Sequence, residues 1–357
     1  WLKASRDPSV WSAVMFGAAQ TVTAATNPPD FEIPNACTDS ISALAWSPAA
    51  NILAAASWDK QVRIWEVTAQ GVQPRVAYSH DAPVLCCNFS KDGSMVISGG
   101  CDNKLKAKML ATQQEQQIGQ HDAPIKECFY VDEMKMTVTA SWDKTIRFWT
   151  GTSPTAAATL QMPDKIYAMD VKYPVMVVGL ANRQVCIYDL SKLQQSQQPV
   201  KVETSILKLT TRAVQVFADK AGYAIGSIEG RASVVFLNEP ARNFSFKCHR
   251  SPQHQIFAVN AIDFHPVCGT FLTCGGDGTV GYWDKDNRQR LKEFNCCNNA
   301  VTCARFSAQG DMMAYSVGYD WSRGHQGHTA NLPKGLFLHK VDPEKVKPKP
   351  KAAVGRR

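Results

Sequence analysis

Two nearly identical nonapeptides, SWDKQVRIW at Ser57–Trp65 and SWDKTIRFW at Ser141–Trp149, show that the chain contains an internal repeat. Weaker copies of the pattern align on one acidic or amide residue per copy. These anchor residues are Asp59, Asp102, Asp143, Asn182, Glu229, Asp277 and Asp320, spaced 39 to 48 residues apart. A repeat of this length is typical of β-propeller blades and is too long for leucine-rich or ankyrin arrays. The sequence therefore predicts one ring of seven similar units.

Each copy of the repeat predicts a meander of short β-strands. An alternating apolar run such as VTCARF comes first, a turn follows, and a second apolar run such as MTVTAS leads to the anchor residue. A third run ends in an aromatic residue or a substitute. Period-two alternation between Gly, Asp and Pro turns indicates strands rather than helices. We therefore predict an all-β fold, a seven-bladed propeller.

Closure of such a ring requires one further strand. The amphipathic run DFEIPN (Asp30–Asn35) precedes the first repeat, and GLFLHKV (Gly335–Val341) follows the last. Pairing of these two runs would tie the chain ends together and leave no open sheet edge in the ring. We expect residues 30–341 to form the propeller, closed by this N-terminal strand. Residues 1–29 are expected to be a flexible N-terminal extension, and residues 342–357 a basic Pro/Lys tail.

The formal net charge is +8, and part of it lies in the tail. The tail has two acidic residues and six basic residues, which are Lys345, Lys347, Lys349, Lys351, Arg356 and Arg357. Alternating Pro and Lys in VKPKPK provides neither a core nor a row of ladder donors. Two interpretations stay open: a solubilising tail, or contact with phosphates or an acidic partner.

Several classes of function lack support in the sequence. No apolar run approaches the length of a transmembrane helix, so no membrane insertion is expected. The twelve cysteines form no C-x-x-C motif, which favours buried, reduced thiols in a cytosolic or nuclear protein. The histidines are scattered, and the closest pair, His325 and His328, has no acidic third ligand nearby. We predict no catalytic residue, metal site or cofactor, and a propeller enzyme is the weaker alternative.

The repeating units resemble the WD repeat. The dipeptides Trp65-Glu66, Tyr188-Asp189 and Trp283-Asp284 stand where that repeat has its Trp-Asp. The resemblance implies a buried hydrogen-bonded network in each blade, in which the polar groups satisfy one another. In the third blade the matching residues are His121, Thr139 or Ser141, Asp143 and Trp149.

Two blades depart from this pattern. Blade one lacks the histidine, and blade two has Lys108-Met109 in place of the Trp-Asp dipeptide. We therefore expect the networks of these two blades to be incomplete. The anchor residues Asp59 and Asp143 are expected to be structural rather than catalytic.

Longer motifs exceed what the fold requires. They are SIEGR (Ser227–Arg231), FSFKCHR (Phe244–Arg250), YDWSRGH (Tyr319–His325) and HDAP, which occurs at His80–Pro83 and His121–Pro124. With these motifs the chain resembles the messenger-RNA export factors of the nuclear pore, a family of seven-bladed WD-repeat propellers. The mitotic checkpoint propellers share the SIEGR and FKCHR elements and are the alternative family.

The resemblance implies binding rather than catalysis. It implies that the top face grips a GLEBS hairpin of a phenylalanine-glycine nucleoporin, and that a basic side groove accepts single-stranded RNA. It also implies action in mRNA export, with a location at the nucleus and nuclear envelope, in the nuclear pore, and shuttling to the cytoplasm. Mitotic checkpoint or spindle proteins are the alternative partners.

The family's functional residues can be carried over position by position. The nucleic-acid groove falls on Phe246, Lys247, Arg250, Trp283, Lys285, Arg288 and Arg290. Arg231 is the candidate partner of an acidic residue of the hairpin, since an arginine adds nothing to the turn itself. Aromatic surface beside cations suits single-stranded nucleic acid, or an apolar side chain flanked by acids. Two simpler interpretations remain open: Trp283 as a core residue of its repeat, and the cations as ordinary solvated surface.

Overall fold

A computed structural model describes residues 30–68, 70–151, 153–329 and 331–349. Within these residues, 28 strands form seven antiparallel sheets of four strands each. The innermost strands of neighbouring sheets contact one another in a single closed cycle. The predicted seven-bladed, all-β propeller is therefore confirmed. The predicted flexible extension, residues 1–29, lies outside the described residues.

The blades follow one another along the chain, each running from the inner to the outer strand. Blade one contains β2 (Ile41–Trp46), β3 (Ile52–Ser57), β4 (Gln61–Thr68) and β5 (Gly71–Ser79). Blade two contains β6 (Val84–Phe89), β7 (Met95–Gly100), β8 (Lys104–Met109) and β9 (Glu115–Gln120). Blade three contains β10 (Ile125–Val131), β11 (Met136–Ser141), β12 (Thr145–Trp149) and β13 (Ala158–Gln161). Blade four contains β14 (Ile166–Lys172), β15 (Val175–Leu180), β16 (Gln184–Asp189) and β17 (Lys201–Thr204).

The remaining blades complete the ring. Blade five contains β18 (Thr211–Val216), β19 (Gly222–Ser227), β20 (Arg231–Phe236) and β21 (Phe244–Lys247). Blade six contains β22 (Val259–Phe264), β23 (Phe271–Gly275), β24 (Thr279–Asp284) and β25 (Gln289–Asn295). Blade seven contains β26 (Val301–Phe306), β27 (Met312–Val317), β28 (Gly335–Lys340) and the N-terminal strand β1 (Phe31–Glu32). We call the face that carries the turns between second and third strands the top face, and the opposite one the bottom face.

The N-terminal strand closes the ring as predicted. β1 pairs antiparallel with β28, and Phe31 lies opposite Leu338. The Ile33 backbone donates to the carbonyl of Leu336, and the Ile33 side chain is buried. The outer strand of the last blade therefore comes from the beginning of the chain, and it covers the edge of β28 that would otherwise be unpaired.

Every blade has a β-bulge at the same place on its innermost strand. In blade one, Ile41 pairs with Ser57 and Ala43 with Ala56, so Ser42 is skipped, and the same shift occurs in the other six blades. The skipped residues are Ser42, Leu85, Lys126, Tyr167, Arg212, Asn260 and Thr302. A bulge re-aims a side chain, and all seven of these residues line one central cavity of about 560 Å³ that also includes top-face residues.

Small residues allow the inner strands to approach one another. A Cβ added to Gly99 would lie 2.6 Å from Ile125 of the next blade, and one added to Gly226 would lie 2.7 Å from Val259. Real Cβ atoms do not come this close, so a larger residue would push neighbouring blades apart. Glycine at these positions of the second strands therefore permits the close packing of neighbouring blades.

The first residues of the predicted tail, 342–357, contact the ring. Helix α1 (Pro343–Val346) follows β28, and the Asp342 carboxylate caps it by accepting from the Glu344 backbone. Val346 is buried, and its carbonyl accepts from the Thr270 hydroxyl in blade six. The first eight residues of the tail therefore pack on the bottom of blade six. None of the helices in the described part of the chain combines the length and apolar character that crossing a membrane requires.

Candidate ligand-binding surfaces

Residues of the repeated nonapeptide form a buried hydrogen-bonded network in blade three. His121 Nδ1 lies 2.8 Å from Asp143 Oδ2, and His121 Nε2 lies 2.7 Å from Thr139 Oγ1. Trp149 donates from Nε1 to the same Thr139 oxygen at 2.8 Å. Of the two alternatives from the sequence, Thr139 is therefore the network hydroxyl. Ser141 instead supports the turn, because it accepts from the Asp143 backbone and donates to the Ala123 carbonyl.

Blade six contains the same network, which the sequence did not assign. His249 contacts Asp277 Oδ1 at 2.8 Å and Thr273 Oγ1 at 2.9 Å. Trp283 donates to Thr273 at 2.9 Å and is 9% exposed. The signal was present in the sequence, since the histidine of FKCHR precedes the blade as His121 precedes blade three. Trp283 thus serves its repeat as a buried member of the network.

Blade two corrects one prediction. His80 contacts both Asp102 and Ser98 at 2.8 Å, and the Tyr78 hydroxyl donates to Ser98 at 2.8 Å. Tyr78 comes from the outer strand of blade one and replaces the missing tryptophan, so the network is complete. The substitute thus comes from the outer strand of the neighbouring blade rather than from the third strand of blade two.

Blade one is incomplete, as predicted. Its anchor Asp59 has no histidine partner among the described residues and accepts instead from the Thr38 backbone, the Thr38 hydroxyl and Arg63. The carboxylate is thereby satisfied by an ion pair at 2.8 Å rather than by an imidazole.

The network carboxylates remain ionised over a wide pH range. Burial acts to raise the pKa of Asp143, but hydrogen bonds from His121 and Thr145 outweigh it and hold that pKa well below its usual range. Burial lowers the pKa of the His121 imidazole despite the adjacent carboxylate. The neutral imidazole completes a chain of donors: Trp149 to Thr139, Thr139 to His121 Nε2, and His121 Nδ1 to Asp143. These are structural bonds inside a blade.

The SIEGR turn is held in place by the FKCHR segment. Arg250 donates from Nε to the Gly230 carbonyl at 3.1 Å and from its second terminal nitrogen to the Glu229 carbonyl at 2.8 Å. Gly230 has a φ of +61°, and a Cβ there would lie 3.0 Å from both the Cys248 carbonyl and the Ile256 side chain. The Arg250 guanidinium therefore holds the backbone of the SIEGR turn in position.

Arg231 follows this turn directly at the top-face end of β20. Its side chain is half-buried and has no hydrogen-bond or ion-pair partner among the residues that the structure describes. In the sheet it lies opposite Lys247 of β21. An arginine held by a rigid turn, with its donors unpaired, can form a forked contact with a carboxylate.

Exposed apolar side chains surround this part of the top face. Ile228 belongs to the SIEGR turn, and Ile256 reaches the same turn from the loop before blade six. Ile206 and Leu209 lie in the loop between blades four and five and are 57% and 49% exposed. Larger apolar surface outside the core is typical of a binding site. We refer to these four residues together with Arg231 as the top-face patch.

The groove residues predicted from the sequence share an aromatic floor. Phe246 packs on Trp283 with ring centroids 4.4 Å apart, and it also contacts Phe244 and Phe271. Phe246 is half-buried, so part of its ring faces outward between β21 and β24. The floor thus joins the outer strand of blade five to blade six. We call this surface the side groove.

The five predicted cations do not form one cluster around this floor. Lys247, Arg250 and Arg290 line a cavity of about 420 Å³ toward the top face. Arg288 lies at the bottom face, exposed, with its guanidinium 5.1 Å from the Phe244 ring centroid. Lys285 is buried: its ammonium lies 2.9 Å from Asp286 and 3.6 Å from Asp219 and packs over Phe217.

Availability also differs among these cations. Arg290 is ion-paired with Glu293 but is more than half exposed. Lys247 is exposed and has no ion-pair partner within the described chain. Lys247, Arg288 and Arg290 therefore present charge at the surface. By contrast, Arg250 donates to the SIEGR turn, and Lys285 is paired with Asp286 and Asp219. Sequence position alone could not separate the two groups.

The central cavity is the remaining polar site. Four residues that line it have buried polar atoms without a partner in the structure: Trp142 Nε1, Thr211 Oγ1, Asn260 Oδ1 and Asp320 Oδ2. In the part of the chain that the structure describes, no group of three or more His, Cys, Asp or Glu side chains converges as a metal ligand set would.

Comparison with known protein families identifies the repeat. The model described as "WD domain, G-beta repeat" matches residues 32–66, 71–107, 113–150 and 243–284. Each segment includes residues of the outer strand of the preceding blade and extends to the third strand of blade one, two, three or six. Blades two, three and six have complete networks, and the remaining copies have diverged further from the pattern.

Similar proteins align with nearly the whole chain. The Poly(A)+ RNA export protein of Schizosaccharomyces pombe is 40% identical over 350 residues, which is 94% of this chain and 99% of that protein. The mRNA export factor GLE2 of Chaetomium thermophilum is 42% identical, with 95% and 98% covered. Protein Rae1 of Drosophila melanogaster is 42% identical, with 91% and 96% covered.

Proposed function

Because this chain belongs to the Rae1/Gle2 family of WD40-repeat mRNA export factors, we propose that it acts in the export of messenger RNA from the nucleus. It does so as a non-catalytic adaptor at the nuclear pore that shuttles between nucleus and cytoplasm. The observation that carries this proposal is the identity of about two residues in five with export factors along nearly their full length. The names of the first two of these relatives describe export of RNA rather than an enzymatic reaction.

The first ligand is a GLEBS-type hairpin of a phenylalanine-glycine nucleoporin, which binds the top-face patch. Arg231 forks a carboxylate of the hairpin, and the apolar side chains around it receive the hairpin's apolar residues. Support comes from the unpaired guanidinium and from the exposed Ile228 and Ile256 beside it. Arg250 contributes indirectly, since it fixes the turn that aims Arg231.

Calorimetry with a GLEBS peptide tests this contact. Arg231→Ala should weaken binding by about 1.5–3 kcal/mol, the range of a charge-assisted hydrogen bond. Arg75→Ala is the matched control, because Arg75 is exposed on the outer strand of blade one. Equal affinity of the Arg231→Ala variant and the wild type would show that Arg231 does not contact the hairpin.

The second ligand is single-stranded RNA in the side groove. The outward part of the Phe246 ring offers a stacking surface, and Lys247, Arg288 and Arg290 offer phosphate contacts at its two ends. Lys247→Glu combined with Arg288→Glu should lower RNA affinity and flatten its dependence on salt, because fewer counterions are released on binding. Arg75→Glu with Lys201→Glu makes the same change in net charge on other blades. If both pairs of substitutions reduce binding equally, the effect is general charge rather than a groove.

Affinity purification from cell extract can distinguish nucleoporin partners from mitotic checkpoint partners. Affinity purification should recover a phenylalanine-glycine nucleoporin with the wild-type protein and lose it with Arg231→Ala. Recovery of checkpoint kinases instead would assign the top-face patch to a mitotic adaptor.

A further inference from the structure

The central cavity, about 560 Å³ in volume, has aromatic walls toward the top face. Trp58 and Trp142 lie in the top-face turns of blades one and three, and Trp321 follows the second strand of blade seven. Trp58 stacks on Trp321 with ring centroids 5.6 Å apart. Tyr167 of blade four lines the cavity as well. A guest that enters from the top face therefore passes between flat apolar surfaces.

Two bulge residues tie neighbouring blades together around this cavity. Asn260 donates from Nδ2 to the Val301 carbonyl of the next blade at 2.9 Å. Thr302 donates in the same way to the Ile41 carbonyl at 2.7 Å. The first of these bonds fixes the orientation of the Asn260 amide. Its Oδ1 atom is buried and has no hydrogen-bond partner within the described chain.

Three further side chains bring unpaired polar atoms to the cavity. Thr211 is 2% exposed and Asp320 is 6% exposed, and both line it. Thr211 Oγ1, Asp320 Oδ2 and Trp142 Nε1 are buried and have no partner among the residues that the structure describes. The other carboxylate oxygen of Asp320 accepts from the Ser322 backbone at 3.1 Å. Because buried polar groups are normally paired, the cavity calls for a partner that both donates and accepts.

The charged groups of the cavity are balanced among themselves. Lys126 Nζ lies 2.8 Å from a carboxylate oxygen of Glu127. Arg212 donates to the backbone carbonyl of Asp320 at 2.9 Å. Burial lowers the pKa of Arg212, and the charge of Asp320 acts to raise it. A charged guest would therefore add a buried charge that the described lining residues do not offset, which is costly. The guest that fits is uncharged.

We propose that the central cavity binds a carboxamide, the end group of a glutamine or asparagine side chain of a protein partner. A carboxamide is uncharged and supplies two N–H donors and one oxygen acceptor. Its donors meet the free oxygens of Asp320 and Asn260, and its oxygen meets the Trp142 indole or the Thr211 hydroxyl. The alkyl part of the side chain packs between the aromatic walls. The site shares only Ile228 with the top-face patch and is independent of both proposed ligands.

A series of capped amino acids tests the chemistry of the guest. N-acetyl-glutamine methylamide would be titrated into isotope-labelled protein while NMR follows the indole signals of Trp142 and Trp46. Trp46 is the internal reference, because its indole already donates to the Arg305 carbonyl at 3.2 Å. The glutamine probe should shift the Trp142 signal saturably. N-acetyl-norleucine methylamide, which has a similar length but no polar end, should not, and N-acetyl-glutamate methylamide should bind more weakly because it brings a charge.

Thr211→Val separates a ligand-binding role from a structural one. Removal of an unpaired buried hydroxyl should leave the stability in urea unchanged or higher, yet weaken binding of the glutamine probe by about three- to tenfold, as expected for one hydrogen bond. Thr155→Val, at an exposed position in blade three, is the control and should change neither quantity. Arg231→Ala should bind the probe like the wild type, since Arg231 does not line the cavity. A Thr211→Val variant that loses stability but keeps probe binding would overturn the site.

The probe series also gives results that overturn the proposal without any variant. An equal response to the glutamine and norleucine probes would show an apolar pocket without polar recognition. Tighter binding of the glutamate probe would assign the cavity to an acidic ligand. No shift of the Trp142 signal with any probe, up to its solubility limit, would mean that water alone satisfies the four unpaired atoms.

Discussion

Thr139 shows how one small side chain can hold two larger ones in place. Its hydroxyl accepts from Trp149 and contacts His121, and all three residues are buried. Buried polar groups are stable when each is satisfied by the next, and costly when one link is removed. Thr273 has the same position in blade six and the same two partners.

Thr139→Val should therefore lower the free energy of unfolding by about 1–3 kcal/mol, since it leaves the Trp149 and His121 nitrogens without a partner at unchanged volume. Thr273→Val should cost a similar amount, and the two losses should add because the sites are in different blades. Urea unfolding measures both. A neutral Thr139→Val would mean that the network contributes little to stability.

His121 makes stability depend on pH in a defined direction. Because burial lowers its pKa in the folded state, the unfolded chain binds the proton first as the pH falls through about 6.5. Stability should then decrease until the folded-state pKa is reached. The lowered pKa of Asp143 adds a further loss in stronger acid. His265, whose pKa burial also lowers, acts with the same sign.

His121→Gln should flatten the part of this pH profile just below neutrality while lowering stability overall. His254→Gln, at an exposed histidine, is the control and should keep the wild-type profile. Unfolding midpoints in urea at a series of pH values provide the measurement. An unchanged profile for His121→Gln would assign the acid sensitivity to other groups.

Among the strands, β1 is the shortest and joins the most distant parts of the chain. Asp30 accepts from the Tyr315 hydroxyl and from His339, both at 2.7 Å, and Ile33 is buried against the last blade. Two residues of pairing with β28 are thus supported by the hydrogen bonds of Asp30 and by core packing. Their loss would leave the outer edge of blade seven open.

Removal of residues 1–35 should therefore destabilise the protein by at least about 2–5 kcal/mol, the typical cost of losing one buried isoleucine-sized side chain. Removal of residues 1–29 alone retains Asp30, Phe31 and Ile33 and is the control, with an unfolding temperature close to wild type. If the two truncations unfold alike, ring closure by β1 contributes little.

The strands were largely predictable because each repeat alternates apolar and polar residues between strong turn formers. The side chains that form the candidate binding surfaces were less predictable than the strands. Tyr78 of blade one substitutes for the missing tryptophan of blade two. The bulge at Ser42 depends on a backbone register that the side-chain pattern does not indicate. Lys285 was expected among the groove cations and is buried by an ion pair with Asp286. Such outcomes depend on contacts between segments that are distant in the chain.

The two proposed ligands should bind the ring through different dominant interactions, apolar contacts for the hairpin and electrostatic contacts for RNA. The top-face patch offers one unpaired arginine among apolar side chains, whereas the side groove offers several exposed cations. RNA affinity should therefore fall steeply with salt, by about 0.7 in slope for each phosphate contact, and hairpin affinity only slightly. Anisotropy with both labelled ligands over one salt series tests this difference. Parallel loss of both ligands would contradict the separation.

The closing strand also sets the order of events when the protein is made. Asp30 is synthesised 285 residues before Tyr315 and 309 before His339. At about 5–20 residues per second, this delay lasts roughly 15–60 s on the ribosome. Throughout that time the first strand has no partner, and the six preceding blades form an open arc with two bare ends. Protection by chaperones should therefore matter most while the ring is incomplete. That period ends when the last repeat has been synthesised and β1 can pair with β28.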